Sequence, residues 1–146
     1  MAINKVQFQK GLSLSDFLKH YGTEKQCEDA VVEMRWPQGY QCTRCACTRV
    51  SMTHHGRRLW ECLSCGYQCS AIAGTIMEST KLPLTKWFLA MYLMTQSKNA
   101  ISTLELKRQV GVCYKTAWIL KHKVLEVMLQ REAPRQLAGR VELDDA

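Results

Sequence analysis

Two cysteine pairs constrain this chain more than any other feature. Cys42-Thr43-Arg44-Cys45 and Cys62-Leu63-Ser64-Cys65 are both C-x2-C, with sixteen residues between them. Two thiolates spaced by two residues can turn back onto one metal ion, and a second pair completes a tetrahedron. Four sulfur ligands select zinc, with iron as the main competitor. All four positions are Cys, so no coordination position is left for substrate and the ion is expected to be structural. Residues 40–72 are too few to build a core unaided; metal binding, worth on the order of 10 kcal/mol, supplies folding free energy. The competing reading is four buried, unligated cysteines. Gly66 suits a tight knuckle after the second pair, whereas Ala46 in the matching place makes the first knuckle less typical.

Thiols remain free to bind a metal only in a reducing compartment. Met1 to Gly11 has no apolar core and no cleavage site, so it is not a secretory signal. The longest apolar run, Trp87 to Met94, has eight residues, against the about 20 needed to cross a bilayer. A cytoplasmic protein with no membrane partner is expected, and its eight cysteines are then expected to be thiols or ligands, not disulfides. Cys47 is badly spaced to share a knuckle with Cys45, and Cys69 reads as a strand residue. Cys27 and Cys113 fall on apolar helical positions and read as core. His54 and His55 fall in a turn, where exposure or phosphate contact suits them better than ligation.

Periodicity separates the chain into modules of an α+β protein. Residues 12–35 read as two short helices: Ser15 caps the first, which puts Phe17, Leu18 and Tyr21 on one face and stops at Gly22. Thr23-Glu24-Lys25-Gln26 is a capping box for the second, with Cys27, Val31 and Met34 on its apolar face and Pro37 and Gly39 beyond its end. Val50 to His54 and Arg57 to Glu61 read as a hairpin, and Tyr67 to Ile72 as a third strand. Helical spacing returns at Leu84, Trp87, Phe88, Met91 and Thr95, with Pro83 in the first turn and a break at Asn99-Ala100. Further helices follow from about Ser102 to Val110 and from Tyr114 to Gln130. Trp87, Trp118 and Met128 read as core. Pro134 and Gly139 mark a linker, and Val141 to Asp144 alternates like the start of a strand. The expected divisions are 1–39 helical, 40–76 zinc ribbon, 80–131 helical, and 132–146 linker with the opening of a further domain.

Charge singles out the third of these. The net charge is +7, and residues 81–131 alone carry nine basic and two acidic residues. A basic folded module is the usual footprint of a polyanion, although a solvated surface kept for solubility accounts for the charge equally well. The local pattern adds to it. Ser102-Thr103-Leu104-Glu105 is a second capping box, Leu106 and Val110 form an apolar face, Gly111 permits a left-handed turn, and Val112, Ala117 and Leu120 continue the packing. This is the layout of a helix-turn-helix, with the helix from Tyr114 in the major groove of double-stranded DNA. Tyr114, Lys115 and Thr116 open that helix, Lys121 and Lys123 follow, and Lys107 and Arg108 on the preceding helix are placed to hold the backbone. Lys107 occupies a position where such units usually have a small residue. An ordinary three-helix bundle with a basic face is the alternative.

The order of these features resembles the zinc-ribbon-bearing DDE-type transposases of bacterial insertion sequences. The residues that carry the resemblance are Arg35 to Cys42 (RWPQGYQC), Cys62 to Cys65, Ala73-Gly74-Thr75-Ile76, Leu82-Pro83-Leu84 with Trp87-Phe88, Lys115-Thr116-Ala117-Trp118 and Val141 to Asp145. The resemblance implies that the helical and zinc modules recognise the DNA ends of the element. It also implies a following RNase H-like domain that cuts and joins DNA with two divalent ions, Mg2+ in a complete domain. Asp144 matches the first metal-binding carboxylate of that domain and Asp145 the acidic residue beside it. An acidic terminal tail accounts for the same residues locally. A single carboxylate cannot clamp two metals, so this chain is expected to be truncated at the catalytic domain and inactive alone. A homo-oligomer is left open, and a bacterial, nucleoid-associated location follows. The alternative function is a stand-alone transcription regulator with a zinc ribbon and helix-turn-helix. A protein-interaction module without DNA preference is a third.

Overall fold

A computed structural model describes residues 11–54, 58–96 and 100–133. The elements in order are α1 (Leu14–Tyr21), α2 (Glu24–Arg35), β1 (Val50–His54), β2 (Arg58–Cys62), β3 (Gln68–Ser70), α3 (Leu84–Gln96), α4 (Thr103–Val110) and α5 (Tyr114–Glu132). They divide into two compact units, one running to Ala100 and one starting at Ile101. The chain is thus mixed helix with a small antiparallel sheet. Among the described residues no helix is long and apolar enough to cross a membrane.

In the first unit, helix starts are set by side-chain caps. The Oγ of Ser13 accepts the Asp16 amide at 3.1 Å, so the cap of α1 is Ser13 and not Ser15, which lies inside the helix. Thr23 and Gln26 form the full reciprocal box at the start of α2. Phe17, Cys27 and Val31 are buried, whereas Leu18 and Met34 are exposed, so each apolar face is narrower than its periodicity implies. Burial, with Glu24 adding to it, pushes the Cys27 thiol up to about 11, and its proton goes to the Tyr21 carbonyl at 3.3 Å.

The third helix packs with the first two. Phe17 stacks on Tyr92 at 4.6 Å between centroids, and Tyr21 meets Phe88 at 5.1 Å. The Glu24 carboxylate accepts the amides of Leu84 and Thr85 at 2.8 and 3.1 Å, so an acidic side chain from α2 caps α3. Pro83 stands just ahead of the helix and accepts the Lys86 amide. The structure therefore groups α3 with α1 and α2, whereas sequence periodicity groups it with the helices that follow.

The sheet is a meander in the order β1-β2-β3, with Val50 opposite Cys62, Met52 opposite Trp60, and Trp60 opposite Cys69. The third strand is shorter than its sequence suggests. Three strands of at most five residues bury little, and α2 supplies the missing cover. The Arg35 guanidinium donates to the carbonyls of Ser70, Ala71 and Ala73. Arg58 on β2 pairs back to Glu28 and Asp29 on α2. Trp36 packs against Tyr40 and Trp60 at 5.0 and 5.1 Å.

The second unit is α4 and α5 around a small core of Ile101, Leu106, Val110, Ala117, Leu120 and Val124. Gly111 joins them at φ 68°, ψ 52°, the left-handed conformation that only glycine adopts cheaply. Trp118 and Met128, read from sequence as core, are 47% and 45% exposed, and Cys113 is exposed at the N-cap of α5. Length explains this correction in part. Helix α5 has 19 residues and α4 has 8, spans of about 28 and 12 Å at ~1.5 Å per residue. The last turns of α5 run past anything α4 can cover. Trp118 lies about 100° around the helix from Ala117 and stacks on His122 at 4.1 Å.

Candidate metal centre and nucleic-acid surface

The structure brings Cys42, Cys45, Cys62 and Cys65 together, with all four sulfurs within 4.8 Å of one another. Cys42 and Cys62 are buried, and Cys45 and Cys65 face outward. Two turns of the same form build the site. In the first, the Ala46 amide donates to the Cys42 carbonyl at 2.9 Å and the Cys42 amide to the Cys47 carbonyl at 3.0 Å. In the second, the Gly66 amide donates to Cys62 at 2.9 Å and the Cys62 amide to Tyr67 at 2.9 Å. Both turns need a left-handed residue in the same place. Gly66 supplies it at φ 66° and Ala46 at φ 56°. Ala46 therefore adopts the knuckle conformation at a steric cost of roughly 1–2 kcal/mol that glycine would avoid.

Backbone amides point at the sulfurs. Cys42 accepts from the amides of Arg44 and Cys45, and Cys62 from those of Cys65 and Ser64; Cys47 and Tyr67 serve Cys45 and Cys65. Burial opposes ionisation of Cys42, but the amides and neighbouring thiols outweigh it and hold the group down at about 6. The amide of Cys65, followed by that of Ser64, lowers Cys62. For Cys45, the Cys47 amide favours the thiolate, but bonding to the Cys62 and Cys65 sulfurs overrides it and pushes the thiol up to about 12. Cys65 is also raised: the Tyr67 amide favours its thiolate, and burial with the Cys42 and Cys62 contacts opposes it. Four thiolates this close repel one another, and only a cation between them lets all ionise.

The donor set fits zinc. The sulfurs of Cys42 and Cys65 are 3.7 Å apart, and those of Cys45–Cys62 and Cys45–Cys65 are both 3.5 Å apart. A tetrahedron with Zn–S near 2.3 Å has edges of about 3.8 Å. This is the only such cluster of ligating groups among the described residues. Cys47 stays outside it, with its sulfur accepting the Arg49 amide at 3.4 Å, and Cys69 is buried in β3 beside the Tyr40 hydroxyl. The His54 side chain and His55 lie outside the described residues.

A cavity of about 780 Å³ lies in the first unit between α2, β2 and the loop before α3. Glu24 and Glu28 line it, but Glu24 is occupied with the α3 amides and Glu28 with Arg58. The crevice is accounted for by this docking.

In the second unit, Lys107, Arg108, Tyr114 and Lys115 are exposed around the α4–α5 turn and the start of α5. Thr116 is half-buried, with its hydroxyl 3.1 Å from the Cys113 sulfur. That hydroxyl and the amides of Thr116 and Lys115 lower the Cys113 thiol. Lys121 is drawn inward and donates to the Ile101 carbonyl at 2.8 Å. The Ser102 hydroxyl caps α4 by accepting the Glu105 amide at 3.1 Å, while the Glu105 carboxylate takes the Gln109 side chain. Asp144, with the rest of 134–146, lies outside the described residues.

Arg35, Trp36 and Tyr40 fall in the string that carries the family resemblance, but no local signal gives the part that Arg35 or Arg58 plays in docking the ribbon on α2. Arg35 and Arg58 are single charges in unremarkable surroundings, and only the fold brings them to carbonyls and carboxylates. Tyr40 carries a readable signal, since a residue two before a ligand returns to its face in an extended chain.

Residues 22–68 match the model of the transposase zinc-ribbon domain, IS1595 type. A protein described as "Uncharacterized protein in transposable element ISH50", from Halobacterium salinarum, is 27% identical over 132 residues. The match covers 88% of this chain, which spans 43% of that protein's length. No solved structure matches the chain. Together these matches support a transposase zinc-ribbon family and a transposase-related role.

Proposed function

We propose that this chain is the DNA-recognition part of a transposase. A zinc ion held by Cys42, Cys45, Cys62 and Cys65 shapes the ribbon, and α4 with α5 acts as a helix-turn-helix on double-stranded DNA at the element's ends. One observation carries the reading: the four-sulfur cluster closes within the stretch that matches the transposase zinc-ribbon domain. The zinc is structural, since four thiolates fill its coordination and leave no position for substrate. Lys107 and Arg108 at the end of α4 and Tyr114 and Lys115 at the start of α5 are the contacts, and Thr116 assists from its half-buried place. Lys121 acts through the Ile101 carbonyl, fixing the segment that leads into α4.

The rest of the proposal concerns the whole protein. Asp144 is the first of the carboxylates that hold divalent ions in an RNase H-like domain; with Mg2+ a complete set activates water or a 3′-hydroxyl.

DNA binding is tested by titrating a duplex with the full chain and with a Lys107→Ala, Arg108→Ala, Lys115→Ala variant. Phosphate contacts release counterions, so wild-type affinity is expected to fall ~100-fold or more between about 50 and 200 mM salt. The variant binds more weakly, with a salt slope smaller by about 3. A flat salt response in the wild type, or identical slopes, contradicts the assignment.

A further inference from the structure

Helix α5 carries two apolar faces, and α4 covers one of them. Ala117, Leu120 and Val124 are buried on the covered face. Trp118, His122, Leu125 and Leu129 follow one another at spacings of four, three and four, so they share a second face. At ~100° per residue it lies roughly 130° around the axis from the buried one. Trp118, Leu125 and Leu129 are 47%, 39% and 66% exposed, and Met128 at the edge of the stripe is 45% exposed. Together these exposures equal about two large side chains, roughly 400 Å² of apolar surface at ~200 Å² each. A contiguous patch of that size on so small a unit marks a contact site.

We propose that this stripe is a dimerisation surface whose occupant is the same stripe on a second copy of the chain. Charge selects that partner. The basic residues Lys107, Arg108 and Lys115 sit around the α4–α5 turn, whereas from Leu125 to Glu132 the charges are Glu126, Arg131 and Glu132, close to balance. Two copies of such a segment meet without the repulsion a basic one imposes, and a polyanion or an anionic lipid surface gains nothing from it. Lys121 flanks the stripe, but its ammonium donates to the Ile101 carbonyl at 2.8 Å, which holds the charge on the side of the α4–α5 core. Trp118 is stacked on His122 at 4.1 Å and supplies a rigid aromatic anchor. Two copies bury roughly 800 Å² of apolar surface, or about 1,200 Å² with a polar rim, the lower limit of a specific interface. The dimer is therefore weak, with Kd on the order of 10 µM. The proposal stands apart from the DNA reading and needs no nucleic acid.

Sedimentation equilibrium of the full, zinc-loaded chain from about 1 to 200 µM brackets that Kd. The mass is expected to climb from 16.8 kDa toward twice that value and level there. Leu125→Glu with Leu129→Glu puts two like charges per chain into the contact and leaves the buried face alone. It is expected to weaken association about 100-fold or more with wild-type helicity. Leu104→Glu alters an exposed leucine on α4, outside the stripe, and is expected to associate like the wild type. Should the double variant lose helicity, Leu129→Arg at the most exposed position of the stripe carries the same expectation. A wild-type mass of one chain at the highest concentration, or one that keeps climbing past two chains, overturns the proposal. So does a stripe variant that associates like the wild type, or a Leu104→Glu chain that no longer associates.

Discussion

Cys62→Ser is expected to abolish metal binding and unfold the ribbon. Cys62 is fully buried at the end of β2, its amide is bonded to the Tyr67 carbonyl, and it faces Val50 across the sheet. It joins the second knuckle to the hairpin, so its loss removes a ligand and loosens both. A three-stranded sheet this small is marginal without its ion, whose binding contributes on the order of 10 kcal/mol. Native mass spectrometry is expected to show one zinc per wild-type chain and none in the variant. Tryptophan emission should shift to the red as Trp36 and Trp60 become solvated. Far-ultraviolet dichroism should keep the helical contribution of α4 and α5, because they form a unit of their own. A variant that retains one zinc and native emission contradicts the ligand assignment.

Leu106→Ala is the second large effect, and it acts on the other unit. Leu106 is 0% exposed and Leu120 is 1% exposed. With Ile101, Val110, Ala117 and Val124 they make up the core between α4 and α5. Truncating a buried leucine costs about 2–5 kcal/mol, comparable to the whole stability of so small a core. The helix pair is expected to melt at room temperature, seen as lost amide protection in α4 and α5, and DNA affinity should fall with it. Zinc content should stay at one per chain. Preserved protection in α4 and α5 contradicts the packing described, and loss of zinc contradicts the independence of the two units.

The sequence is most legible where a local rule admits one solution. The C-x2-C pairs, the Thr23–Gln26 box, the hairpin and the left-handed Gly111 all follow from spacing or backbone chemistry within a few residues. It is least legible where burial depends on a distant neighbour. Helical periodicity puts an apolar stripe on α5, but the length of α4 decides how far along it is covered, so Met128 comes out exposed; Trp118 is exposed because it lies about 100° around the helix from buried Ala117, and Cys113 because it is the N-cap. It groups α3 with the later helices, because nothing local announces that Glu24 caps α3 or that Phe17 stacks on Tyr92. Lys121 illustrates the same limit at the candidate DNA surface: a lysine on a basic helix reads as a phosphate contact, and the fold turns it to the Ile101 carbonyl. The four sulfurs are readable from sequence, but the docking of the ribbon on α2 through Arg35 and Arg58 requires the fold.

X-ray absorption at the zinc edge of the full chain tests the metal site most directly. Four sulfur neighbours at about 2.3 Å are expected, each contributed by one of the two knuckle pairs. A shell with fewer than four sulfurs, or one completed by nitrogen or oxygen, would show that these cysteines do not close around one ion.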